Sequence, residues 1–183
     1  MSKAVDAISP ANAALDPLEE RATWLSYAGL IPFLLTAVAL WMSPVLLHSA
    51  RTYQFLLWEL LYAAVILSFL GGIRWGLAMM QDRKISEYIT ISQLTNSVVP
   101  PLIAWLAVVP ANLIPGVAPN YFARHLLVAL AFGLMMQADS RASADGFAPA
   151  WYGPMRRKVS MFLGMILLLI IIRLMTLGWY SAA

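Results

Sequence analysis

The run FLGMILLLIII, residues 162–172, has no polar side chain and ends only at Arg173. It lies inside a longer apolar stretch, about Lys158 to Tyr180. A helix that is apolar all round has no face to offer water, so it needs an apolar medium on every side. Roughly 20 such residues cross the hydrocarbon of a bilayer as a helix whose backbone groups bond internally. Four further runs, about 23–42, 53–80, 86–109 and 121–138, repeat the pattern. With 61% hydrophobic and 11% charged residues and a mean hydropathy of +0.74, the chain cannot cover its apolar surface with polar groups. The expected fold is all-α, a polytopic membrane protein in which residues 22–183 form a bundle of five transmembrane helices.

The loops set the orientation. With the N-terminus inside, inner segments collect Lys3, Arg21, Arg83, Lys84, Arg141, Arg156, Arg157 and Lys158, and outer ones hold only Arg51 and Arg124. This asymmetry predicts a cytoplasmic N-terminus and an external C-terminus in a bacterial-type inner (plasma) membrane. Residues 1–21 carry Asp6, Asp16, Glu19 and Glu20, so they read as a mobile tail and not as a basic targeting segment. The segment Asp139–Arg157 reads as an inner loop whose Ala148–Tyr152 part rests among headgroups. The net charge of +3 comes from dispersed basic residues, which excludes a nucleic-acid stripe. The absence of cysteine excludes disulfides and thiolate sites.

Pro32 predicts a kink in the first span, with Gly29 one turn earlier. The second span is too long for the bilayer, ~42 Å at 1.5 Å per residue, and has two faces. Ala64, Ser68, Gly72 and Gly76 recur every four residues, a small-residue stripe that predicts the closest helix packing in the bundle. Glu59 and Arg74 lie on the opposite face, ~22 Å apart along the axis, and each needs its own partner. Matching depth suggests Arg173 for Glu59, and Asp139, Asp82 or Glu87 for Arg74. Alternatively Arg74 and Arg173 snorkel to the headgroups.

The third span is the most polar, and Pro100 and Pro101 free the carbonyls of Asn96 and Ser97. Gln93, Asn96, Ser97, Pro100 and Pro101 are therefore candidates to line a polar cavity, or to bond neighbouring helices. His48 and His125 stand without nearby carboxylate or thiolate ligands, and the pairs Met79-Met80 and Met135-Met136 read as packing, so no metal or cofactor is expected. No nucleophile stands beside a base and no phosphate-cradling loop is present, so no catalytic residue is assigned.

Four segments carry a resemblance: Leu30-Ile31-Pro32-Phe33, Tyr62–Gly76 with SFLGGIRWG, Ser97–Trp105 (SVVPPLIAW) and Ala148–Tyr152 (APAWY). In this order, over about residues 24–175, they resemble an uncharacterised membrane family, domain of unknown function 3429, which includes the animal transmembrane protein 69. The resemblance implies a helical inner-membrane protein and brings no activity or ligand. The functional expectation is a non-enzymatic accessory or assembly factor. Its partners would be the lipid bilayer and either other membrane-protein subunits or a second copy of itself. The alternative is a small-solute or ion transporter or channel built around the Pro-broken third span.

Overall fold

The computed structural model describes residues 17–43, 45, 49–80, 87–109 and 120–177. The side chains of residues 49, 50 and 87–90 are outside this description, as are most of the tail at 1–16, His48, the 81–86 connection with Asp82, and the 110–119 loop. All regular structure among the described residues is helical: α1 (Pro17–Ala28), α2 (Ile31–Met42), α3 (Ser49–Met79), α4 (Glu87–Ala107), α5 (Tyr121–Ala144) and α6 (Tyr152–Thr176). Four segments are long and apolar enough to cross a membrane: Pro17–Met42, Arg51–Met79, Tyr121–Ala144 and Tyr152–Thr176. The chain is thus an all-helical, membrane-type protein.

Pro32 interrupts the first segment as its missing N–H demands, but the break is a turn at Gly29–Leu30, with Pro32 in the first turn of α2. The Tyr62 hydroxyl donates to the carbonyl of Gly29 at 3.0 Å, which ties the break to the middle of α3. Helix starts earlier than the sequence suggests, at Pro17, so residues 17–21 belong to α1 and not to a tail. Pro100 and Pro101 leave α4 helical from Glu87 to Ala107.

The largest departure from expectation is at the α5–α6 junction. The segment from Asp139 is not a loop: α5 continues to Ala144 and α6 begins at Tyr152, with Arg156, Arg157 and Lys158 in its first two turns. Gly146, at φ 77°, closes α5, and the amide of Phe147 donates to the carbonyl of Ala142 at 2.8 Å in a Schellman-type end. A β-carbon on Gly153 would run into the Ser143 side chain, so the two helices pack closely just after the turn. The start of α5 is capped by Asn120, whose side chain accepts from the amide of Ala123 at 2.9 Å.

Leu60, Ala63, Leu67 and Leu70 of α3 form the core with Ala104 and Ala107 of α4, Val128, Ala131 and Met135 of α5, and Leu163 and Leu167 of α6. Phe33 of α2 closes one side and packs edge-on against Phe132. α3 therefore faces inward with the stripe that carries Leu60, Leu67 and Arg74, while Ser68 and Gly72 are exposed.

Candidate functional site

Polar side chains are buried in two layers, and these bonds fix the helix directions. In the first, Nε2 of His125 lies 2.8 Å from Oε2 of Glu59, and neither side chain is exposed. In the second, Nη1 of Arg74 lies 3.3 Å from Oδ1 of Asp139, and Nε of Arg156 lies 2.9 Å from Oδ2 of the same carboxylate. The side-chain oxygen of Gln93 accepts from Nη2 of Arg74. Glu59 and Arg74 are fifteen residues apart on α3, and His125 and Asp139 fourteen apart on α5. Both pairs close in one register only if α3 and α5 run parallel, ~21–22 Å separating the layers at 1.5 Å per residue.

Glu59 is therefore not paired with Arg173, as depth alone suggested. Arg173 instead donates from Nη2 to the carbonyl of Ser43 at 2.7 Å and from Nε to that of Leu40 at 3.5 Å, and its guanidinium covers the Trp41 ring at 5.2 Å. Arg124 does the same for α4, donating to the carbonyls of Ala107 and Val109 at 3.2 and 2.8 Å. The last carbonyls of a helix have no partner within it and carry the negative end of its dipole, so they can hold a cation as a carboxylate would.

His125 is held at both ring nitrogens: Nδ1 lies 2.6 Å from the carbonyl of Tyr121, an acceptor only, so Nδ1 donates there, and Nε2 faces Glu59. Oε1 of Glu59 has no hydrogen-bond partner among the described residues.

The small-residue stripe does not pack as the sequence suggested. A β-carbon on Gly72 or Gly76 would meet nothing within 4 Å, and Ser68 is exposed with its hydroxyl bonded to the carbonyl of Ala64 at 2.8 Å. The close approach is at Gly71 instead, where a β-carbon would be forced into the Ser97 carbonyl oxygen and lie 3.0 Å from the Pro101 ring. The reason is a competition for the interior. Glu59 and Arg74 share a face with Gly71, and burying two charges against partners outweighs burying glycines, because a charge facing lipid costs several kcal/mol. Ser68 and Gly72 are turned outward and Gly76 is half-buried, while Ala64, about two turns before Gly71, packs against the core.

The five polar candidates of α4 do not share a cavity. Gln93 is buried on Arg74. Asn96 and Pro100 line a recess of about 110 Å³ with Gln137 and Arg141. Ser97 donates to the carbonyl of Leu94 at 2.6 Å, and with Pro101 it forms one wall of an open groove of about 250 Å³ whose other wall is Ser68, Gly72 and Trp75. The carbonyl freed by Pro101 thus marks where α3 and α4 approach.

A larger cavity, about 400 Å³, lies between α1, the start of α2, α3, α5 and α6, and none of its lining was singled out from the sequence as a site. It is walled by Leu25, Phe33, Phe69 and Phe132, and Tyr152 and Arg156 reach it at the α6 end. Among the described residues no group of three His, Asp or Glu side chains could hold a metal ion.

The model of the family described as protein of unknown function (DUF3429) matches residues 18–172. Transmembrane protein 69 of Xenopus tropicalis is 32% identical over 145 residues, covering 78% of this chain and 50% of its own length. The chain thus spans about half the length of that curated relative. No solved structure matches.

Proposed function

The chain belongs to the DUF3429 family, and from that membership and the geometry of α3 we propose that it is a non-enzymatic accessory or assembly factor of a membrane complex. Its outer α3 face would receive a transmembrane helix of another subunit. The observation that supports this reading is the open groove along Ser68, Gly72 and Trp75: glycines bring a foreign backbone close, and this chain leaves them uncovered. In this reading α4 is a fifth crossing, since its bonds to α3 and α5 run it back between them, and the N-terminus is cytoplasmic with the C-terminus outside an inner membrane. A transporter built around α4 has less support, because Gln93, Asn96 and Ser97 fall into three separate surroundings.

Pull-down from mild detergent at native expression levels tests the proposal when wild type is compared with Gly72→Leu, which fills the groove from an exposed position. The wild type should retain a second membrane protein that the folded variant loses. Recovery of the chain alone, or equal retention by the variant, contradicts the proposal.

A further inference from the structure

We propose that the 400 Å³ cavity between α1, α3 and α6 binds an anionic amphiphile, with an acyl chain along its apolar length and an acidic head group on Arg156 and the Tyr152 hydroxyl. The inference is independent of the docking face, which lies on the other side of α3.

Three observations converge. The cavity has the size of a small-molecule site and an almost wholly apolar wall, with its charged and phenolic groups gathered at the α6 end. Tyr152 and Arg156 are four residues apart on α6, so both side chains project from one face. Among the described residues the buried Tyr152 hydroxyl makes no hydrogen bond of full geometry and lies beside the Arg156 guanidinium, whose own well-formed hydrogen bond runs from Nε to Asp139. The terminal nitrogens of Arg156 and the Tyr152 hydroxyl thus lie together at the cavity's end, where a carboxylate or phosphate could accept from both.

The charge count gives the sign of the ligand. Among the described residues Asp139 is the one carboxylate in contact with two buried guanidiniums, those of Arg74 and Arg156, which leaves an excess of one positive charge in that group at the cavity's polar end. A carboxylate or phosphate ester would neutralise it, whereas a neutral lipid would leave it and a cation would add to it. The entry side is α1, which buries no residue of its own and contributes Ala22, Leu25 and Ser26 to the wall.

Native mass spectrometry of the full chain, delipidated in detergent, tests this against equimolar phosphatidylglycerol and phosphatidylcholine with identical acyl chains, and separately against oleate. Two variants accompany the wild type. Tyr152→Phe removes only the hydroxyl beside Arg156, and Ser26→Phe fills the cavity from α1; thermal unfolding verifies that both remain folded. The wild type should hold one anionic lipid in preference to phosphatidylcholine by about tenfold or more, the order expected of one charge-assisted contact. Tyr152→Phe should weaken it about three- to tenfold, the loss of one hydrogen bond, and Ser26→Phe should abolish it. Retention of phosphatidylglycerol identifies a phospholipid head group, and retention of oleate alone identifies a single-chain acid; both support the site. Exposed Arg157 and Lys158 can attract anionic lipid without a cavity, but neither variant alters them. Equal retention of phosphatidylcholine, or wild-type retention by both variants, overturns the proposal.

Discussion

Asp139 shows how a residue read as a loop charge becomes the pivot of a helical bundle. Its two oxygens receive Arg74 and Arg156, so one carboxylate joins the end of α3, the end of α5 and the start of α6. Removing its charge leaves two buried guanidiniums facing each other. Asp139→Asn should lower the unfolding free energy by about 3–5 kcal/mol, the cost of breaking a buried ion pair on one side, as measured by denaturant or thermal unfolding in detergent; a loss under 1 kcal/mol would mean that the layer is solvated. Depth along the helices was enough to name Asp139 among the partners of Arg74. Depth misled for Glu59, because Arg173 and Arg124 satisfy helix-end carbonyls, acceptors that every sequence contains and none advertises. The signal for His125 was legible: the spacing from Glu59 to Arg74 nearly equals that from His125 to Asp139, as two parallel helices joined twice require.

At the scale of the element, α3 was recognisable as a two-faced helix, but its inward face was assigned to the wrong stripe. Recurrence of small residues says where a backbone can approach and not which neighbour does so. The charges decide the rotation, and they bring Gly71 against α4 and leave Gly72 open. Two adjacent substitutions should therefore differ in sign. Gly71→Ala should destabilise by about 1–3 kcal/mol through the clash with the Ser97 carbonyl, while Gly72→Ala should be neutral or stabilising by up to about 1 kcal/mol, the helix-propensity gain. Thermal unfolding of the two variants checks this, and the reverse order would return the stripe to the interior. The α5–α6 boundary was illegible for a related reason: charged residues near an apolar run read as its end unless their partners are known.

Over the whole molecule, apolar run length conveyed the helical membrane architecture, since it reports directly on the solvent the chain requires. The 400 Å³ cavity was not legible, because it is lined by residues from five helices that share no local pattern. The groove, the cavity and the two polar layers all depend on one rotation of α3, which the Glu59–His125 contact sets together with Arg74–Asp139. A double-mutant cycle on unfolding in detergent, with Glu59→Leu and His125→Leu, and Arg173→Leu as the comparison, tests that rotation directly. The predicted coupling is about 1–3 kcal/mol between Glu59 and His125 and under about 0.5 kcal/mol between Glu59 and Arg173. Coupling to Arg173 with additivity at His125 would contradict the arrangement, turning α3 and moving both the groove and the cavity with it.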